Sequence, residues 1–461
     1  MARPKGMRDI EGEEFYIYQG FFEKAAEIAS YYGFGPIETP LVEKEEVFTT
    51  GIGTENEIVE KEMYALKVKG GASLVMRPEG TAGIVRAYVE NGMYVRPQPV
   101  MFYYYGPYFR YERPQKGRFR EFYQFGLETI GTERSVADAI TIKITIAILE
   151  EVCLKDLSVL INTIGDSVCR PNYIKELITY YKKHLNDVCA HCRQRIKVNP
   201  LRLLDCKSPE CQSIKQEAPE MLEYVCEPCK KHFKEVLEHL DMMEIPYTID
   251  HTLVRGIDYY TRTVFEVVTS RPLEEEIPTQ KKEAGEESEE TKTEEEGTDE
   301  EGSPEKEKEP EKKEEEEPPL ALAGGGRYDT LAKSFGSKRD VAGVGVGLGV
   351  DRIIIHPDFK AHMPRIIKKP KAFFIQIGTE AKLKSIPVIE ALRKAKTPVV
   401  HSLSKDKLAS QLSLAEKMNI PYTIILGQRE ALEGTVIVRD MNSHSQETVK
   451  IEDLADKLKK A

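Results

Sequence analysis

The stretch 106–128, GPYFRYERPQKGRFREFYQFGLE, sets Arg110, Arg113, Arg118 and Arg120 among aromatic residues and closes on Gln124 and Glu128. Planar, permanently charged guanidinium forks suit phosphate oxygens, and aromatic faces beside them suit a stacked base. The polar PQKGR tip between Phe- and Tyr-rich flanks predicts a β-hairpin. Taken alone, such a hairpin is a solvated edge or a general nucleic-acid patch. A second candidate is GVGVGLGVDR at 343–352, whose strictly alternating glycines do not fit a GxGxxG dinucleotide loop. Alternation predicts a strand with one bare face that a ligand or another backbone can approach, followed by a helix starting at Asp351 and Arg352. The cysteines form a third group: Cys189-x-x-Cys192 and Cys226-x-x-Cys229 bracket Cys206 and Cys211. In a reducing compartment, paired CxxC motifs point to zinc before disulfides. A structural zinc site on Cys189, Cys192, Cys226 and Cys229 and a set of reduced, partly exposed thiols both remain open.

These residues need a scaffold. Residues 12–32 read as an amphipathic helix, followed by a Gly/Pro turn and a strand, and a longer helix is expected from Ser135 to about Glu151. Short strands around the Arg hairpin, packed with helices, predict an α+β core with an antiparallel sheet. The pattern turns helical and rich in Cys, Lys and His over 171–245, which reads as an inserted domain. The sheet pattern resumes over 246–360. After the KKPKA linker, the runs AFFIQI, PVVHSL, YTIILG and TVIVRD alternate with helical segments, predicting a small α/β domain over 368–461 with a mostly parallel sheet.

Composition bounds the function classes. A chain of 461 residues has room for two to four domains. No apolar run is long enough for a membrane span, and the start MARPKGMRDIEGEE has no apolar h-region, so a soluble, cytoplasmic protein is expected. The net charge of −11 misleads, because residues 273–319 hold 22 acidic residues and 7 lysines. The rest of the chain carries 59 basic and 55 acidic residues, a mildly basic body compatible with a phosphate-backbone partner. Residues 273–319 have almost nothing apolar to offset ordering entropy, and prolines at 304, 310, 318 and 319 interrupt any Glu/Lys helix. They are expected to be a disordered surface insertion.

Five strings in one order carry a resemblance: RPEGTAG at 77–83, GPYFRYERPQKGRFREFYQ, LVRGIDYYTRTVFE at 253–266, GGGRYD at 324–329 and GVGVGLGVDR. The chain resembles class II aminoacyl-tRNA synthetases in the form of the histidyl-tRNA synthetase family, over nearly its whole length apart from the acidic insertion. PKGMRDI at 4–10 is similar to the family's start, and the helix–strand–Pro40 unit to the motif at its dimer interface. The resemblance implies an antiparallel catalytic core, 1–170 and 246–360, with an inserted helical domain and a C-terminal α/β anticodon-binding domain. It implies ATP-dependent joining of L-histidine to tRNA-His by a homodimer, with Mg²⁺ bridging the ATP phosphates. By the same resemblance Arg110, Glu112, Arg118, Phe122 and Arg352 bind ATP, with Arg110 at the α-phosphate, Phe122 under the adenine and Arg352 at the γ-phosphate end. Arg255 reaches the substrate carboxylate and α-phosphate, work that other class II enzymes give to a metal, so Arg255 and Arg110 are the catalytic candidates.

Histidine itself needs donors and acceptors on opposite sides of its imidazole. Glu128 and Tyr260 suit the imidazole, with Tyr259 lining the pocket, while Glu79, Gly80, Thr81 and Gln124 suit the α-amino and carboxylate groups. Tyr328 is a further pocket candidate. The rival reading is a non-catalytic, synthetase-like subunit of ATP phosphoribosyltransferase. Such subunits characteristically lack the anticodon domain and erode the ATP-contacting arginines, and this chain keeps both features.

Overall fold

The computed structural model describes residues 2–53, 56, 58–271, 273, 319–365, 370–402 and 407–460. They form two compact units, Met1–Met363 and Pro364–Ala461. All but the two ends of the acidic insertion, and residues 366–369 of the linker, lie outside the described residues.

An eight-stranded sheet organises the first unit. Its spatial order is Gly35–Pro36, Val100–Phe109, Glu121–Ile130, Gly343–Gly349, Leu320–Arg327, Thr261–Thr269, Leu157–Thr163 and Tyr247–Ile249. Only the pairs at its two ends are parallel; the six strands between run antiparallel. The Arg hairpin is thus real: Val100–Phe109 pairs with Glu121–Ile130 over ten rungs, from Val100 opposite Ile130 to Phe109 opposite Glu121. Strand periodicity of two sorts its side chains. Phe125 and Leu127 enter the core built on the helices Gly12–Tyr31 and Ser135–Glu151, whereas Phe122, Gln124 and Glu128 share the opposite face. The sheet enters and leaves the acidic insertion on one rung, because Leu320 lies opposite Thr269.

Between residues 170 and 242 the chain is helical: Arg170–Lys183, Ala190–Val198, Gln212–Gln216 and Glu227–Met242. This segment belongs to the same compact unit as the sheet. Phe233, Val236 and Leu240 of its last helix share a core with Ile142, Ile146 and Leu149 of Ser135–Glu151.

The second unit is a five-stranded sheet ordered Val399–His401, Ala372–Gln376, Tyr422–Leu426, Thr435–Asp440 and Gln446–Lys450. The first three strands are parallel and the last two extend them as an antiparallel hairpin. The sheet is therefore mixed, not mostly parallel. Its final strand, QETVK, is an almost fully exposed polar edge with no apolar run to betray it. Among the described residues no helix is long and apolar enough to cross a membrane.

Candidate active site

The residues expected to bind histidine meet on one face of the large sheet. Glu79 sits just before the helix Thr81–Glu90, and its carboxylate accepts from the backbone N–H groups of Thr81 (2.7 Å) and Ala82 (2.8 Å). It so caps the otherwise unpaired N–H groups of the buried helix start with a group of the favourable sign. Tyr259 donates to the same carboxylate at 3.2 Å. Burial pushes the Glu79 acid up, opposed by those two backbone donors and by the Arg110 charge. Gly80, the N-cap residue, lies against the Tyr104 ring.

Glu128 is fully buried. Its carboxyl takes hydrogen bonds from Thr81 Oγ1 (2.6 Å), from Tyr104 (3.2 Å) and from Tyr328. Hydroxyls satisfy its lone pairs without supplying positive charge. Burial therefore dominates and raises its pKa to about 8, with the hydrogen bonds from Thr81 and Tyr328 opposing. The alternating glycines acquire a reason here. Gly345 lies opposite Glu128 in the ladder, and a Cβ there would fall 1.8 Å from Glu128 Oε2. The bare strand face thus accommodates protein side chains first. Gln124, opposite Gly349, lies two rungs from Gly126 on the same face.

Arg255 and the tyrosines come from a segment, 253–260, with no regular secondary structure, just ahead of Thr261–Thr269. Tyr259 and Tyr260 are nearly buried, with ring centroids 4.8 Å apart, and Tyr259 meets Tyr328 edge-on at 5.9 Å. Arg255 is 23% exposed and paired with Glu266. Its guanidinium crosses the GGGRYD strand, where a Cβ at Gly324 would lie 2.4 Å from it.

The arginines expected at the ATP phosphates lie just past the hairpin strand Val100–Phe109 and just past the glycine strand Gly343–Gly349. Arg110 Nε donates to the Pro78 carbonyl at 2.9 Å, and its guanidinium carbon lies 5.3 Å from the Phe122 centroid. Arg352 Nη1 donates to the Ala321 carbonyl at 2.8 Å. The hairpin tip folds over Arg352: Gly117 has φ +68°, and a Cβ there would come within 3.0 Å of Arg352 Cγ. Burial, then the neighbouring Arg118 charge, lower the Arg352 pKa. Two cations held near each other make a site for a polyanion. Glu112 is on the same tip; its carboxylate lies 3.8 Å from Arg118, and its carbonyl accepts from Arg120 Nε at 3.1 Å.

Two supporting groups escaped the sequence reading. Tyr104 belongs to the Tyr103–Tyr105 run, where only strand parity shows which ring faces the pocket. Asp138, Arg327 and His232 form a buried cluster: Asp138 and Arg327 are ion-paired with both side chains fully buried, and His232 Nε2 is 3.4 Å from Asp138. Arg327 also donates to the carbonyls of Thr132 (3.0 Å) and Arg134 (3.2 Å). That cluster fixes the end of Leu320–Arg327, from which Tyr328 reaches Glu128.

The expected zinc set does not form one site. Cys189 and Cys192 group with Cys206 and Cys211, whereas Cys226 and Cys229 group with Asp166 and Cys169. The two CxxC pairs open different helices, Ala190–Val198 and Glu227–Met242, and each pair turns to a different partner segment.

A family profile described as Histidyl-tRNA synthetase matches residues 6–277, and one described as Anticodon binding domain matches residues 371–461. A histidine–tRNA ligase of Caldicellulosiruptor saccharolyticus is 36% identical over 457 residues, covering 99% of this chain and 98% of that protein. One from Desulforamulus reducens is 35% identical over 453 residues, covering 98% and 97%. The crystal structure of apo S. aureus histidyl-tRNA synthetase superimposes with a TM-score of 0.74 at 26% identity, covering 100% of both chains. With the five motifs on one sheet face and relatives aligned end to end, the chain belongs to the histidyl-tRNA synthetase family of class II aminoacyl-tRNA synthetases.

Proposed function

We propose that this histidine–tRNA ligase works through the residues just described, with the Glu79–Thr81–Glu128–Tyr259 cluster as the histidine pocket and Arg110, Arg255 and Arg352 as the phosphate clamp. The observation that carries the reading is the Glu128 carboxyl. It is fully buried and its hydroxyl partners bring no positive charge, so an imidazole, which can share a proton with it, supplies what the protein leaves out. Tyr260 faces the ring from the other side, and Glu79 and Gln124 take the α-amino group.

In the first step a histidine carboxylate oxygen attacks the α-phosphorus of ATP. The bond from that phosphorus to the β-bridging oxygen breaks, and pyrophosphate leaves with the electron pair. Little covalent chemistry falls to the protein; it positions the reactants and stabilises the charge. Arg110, anchored through Pro78, lies between pocket and adenine shelf and takes the α-phosphate. Arg255 releases Glu266 for the substrate carboxylate and α-phosphate. Arg352, with Arg118 on the closing tip and Glu112 beside it, takes the distal phosphates, and Phe122 underlies the adenine. Glu112 and Glu266, whose charges both act on Arg352, would supply oxygen donors to a Mg²⁺ ion accompanying ATP, which would offset phosphate charge there. In the second step a terminal hydroxyl of tRNA-His attacks the acyl carbon, and AMP leaves.

The proposed assembly is a cytoplasmic homodimer with no membrane contact, and Leu41 and Val42, exposed beside Pro40, are apolar groups a partner would cover. Residues 371–461 would read the tRNA. A synthetase-like regulatory role is disfavoured by that unit and by the retained Arg110, Arg255 and Arg352.

Arg255→Ala tests the assignment. Histidine-dependent pyrophosphate exchange should fall by about 10²–10³-fold, the usual cost of one preorganised donor, with an unchanged circular dichroism spectrum. An undiminished rate in the folded variant would remove Arg255 from the chemistry.

A further inference from the structure

One helix of the helical segment has little apolar packing of its own. Ala190–Val198, AHCRQRIKV, buries only Cys192 and Ile196. Yet seven of the eight cysteines converge in two places, and in each place four ligand atoms lie within 4.8 Å of one another.

In the first group Cys189 Sγ is 3.8 Å from Cys206 Sγ, and Cys211 Sγ is 3.9 Å from Cys192 Sγ. In the second Cys169 Sγ is 4.0 Å from Cys229 Sγ, and Asp166 places Oδ2 3.1 Å from Cys229 Sγ and 3.9 Å from Cys226 Sγ. A disulfide needs sulfurs about 2.05 Å apart, so neither group is a set of bridges. A tetrahedron with metal–sulfur bonds of about 2.3 Å has S–S edges of about 3.8 Å, and S–O edges of about 3.5 Å when one ligand is a carboxylate. Both groups have that size.

Their local architecture repeats. Cys189 and Cys226 are each the N-cap residue of a helix whose first turn carries the second cysteine. Backbone N–H groups already point at sulfur: Cys192 N to Cys189 Sγ at 3.4 Å and Cys189 N to Cys211 Sγ at 3.3 Å. Such donors stabilise thiolate better than thiol. A carboxylate set among three thiols, as Asp166 is, has a use for a divalent cation that thiols do not meet.

We propose that this segment holds two separate zinc ions, one on Cys189, Cys192, Cys206 and Cys211 and one on Asp166, Cys169, Cys226 and Cys229, and that the second positions the histidine pocket. All four ligand places are protein groups at both sites, which marks them as structural. Each ion ties together chain segments distant in sequence, so its binding energy becomes folding energy.

The link to the pocket runs through Arg170, which follows Cys169 at the start of Arg170–Lys183. It donates to the carbonyls of Ile164 (3.0 Å), Gly165 (3.0 Å) and Tyr260 (2.6 Å). Arg262 N–H returns to the Gly165 carbonyl at 2.7 Å. The 164–170 turn therefore holds Tyr260 and Arg262 on one side and two of the metal ligands on the other. This link rests on Tyr260 belonging to the histidine pocket; the two metal sites do not.

The test is metal analysis of the full-length protein purified under reducing conditions, with zinc as the probe. Two zinc ions per chain are expected. The Cys206→Ser/Cys211→Ser and Cys226→Ser/Cys229→Ser variants should each keep one, and so should Asp166→Asn or bind the second more weakly. Cobalt in place of zinc adds a spectroscopic readout of the ligand set. The ion remaining in C206S/C211S, with three sulfurs, should show weaker thiolate-to-cobalt absorption than the ion remaining in C226S/C229S, with four. Fewer than two zinc ions in the native chain, or prompt reaction of all its thiols with a disulfide reagent while folded, would overturn the sites. In pyrophosphate exchange, D166N should raise the KM for histidine several-fold at nearly constant kcat, and C206S/C211S should not. Two zinc ions with an unmoved KM in D166N would leave the sites standing and overturn the positioning role.

Discussion

Two buried carboxyl groups ten positions apart in sequence, Glu128 and Asp138, are both fully inaccessible to solvent, yet they are held in opposite states. Burial raises Glu128 to about 8 because its partners Thr81, Tyr104 and Tyr328 are neutral. Burial acts on Asp138 in the same direction, but the Arg327 guanidinium outweighs it, with His232 adding a hydrogen bond, and the pKa falls to about 2. Their linkage to folding has opposite signs. The Asp138 contribution is present above its unfolded value and is lost as pH falls toward 2. The Glu128 contribution is present below its unfolded value and is lost as pH rises through about 8. One acid has its partner built in and serves the scaffold. The other has hydroxyl support but no counter-charge, as its proposed role in binding a nitrogenous ligand requires.

The largest expected effect comes from breaking the scaffold pair. Asp138→Asn leaves Arg327 buried without its counter-charge, and such one-sided removals cost about 3–5 kcal/mol. Urea denaturation should show that loss, with the KM for histidine rising as well because Tyr328 loses its anchor. A loss below about 1 kcal/mol would mean that Asp329, 3.1 Å from Arg327, already suffices as partner.

Glu128→Gln should separate the two carboxyls. It removes a charge-assisted hydrogen bond to the ligand, worth about 1.5–3 kcal/mol, so the KM for histidine should rise about 10- to 100-fold. Stability near neutral pH should hold or improve, since a buried acid with no counter-charge has been replaced by a neutral amide. A stability loss matching that of D138N, with an unchanged KM, would make Glu128 a second scaffold carboxyl and dissolve the contrast.

How far this division can be read from sequence depends on the distances involved. The helices Gly12–Tyr31 and Ser135–Glu151 and the Arg hairpin follow from local periodicity, and they stand where periodicity puts them. Glu128 is reachable through a motif and strand parity. The Asp138–Arg327 pair joins residues 189 apart; nothing local distinguishes Asp138 from a first-turn helix acid. The cysteines show the same limit: CxxC spacing identifies two half-sites, but which segment completes each depends on tertiary placement. The polar strand Gln446–Lys450 was invisible because an exposed edge has no apolar pattern to display.

The subtlest test asks where the proton sits when histidine is bound. Free imidazole has a pKa of about 6.5, and Glu128 in the ligand-free pocket one of about 8. Between these values the incoming ring is neutral and Glu128 carries the proton, so ligand and pocket bring one proton between them. Below about 6.5 both partners are protonated and one proton must be expelled on binding. Above about 8 neither is, and a buried carboxylate would face a neutral ring unless a proton is taken up. The KM for histidine should therefore be lowest across this window and rise up to tenfold per pH unit on either side, one proton per unit being about 1.4 kcal/mol. E128Q has no carboxyl to titrate, so it should lose the alkaline limb and keep the acid one, which belongs to the substrate. An alkaline limb that survives in E128Q would assign that ionisation to another group. The contrast with Asp138 would then rest on stability alone.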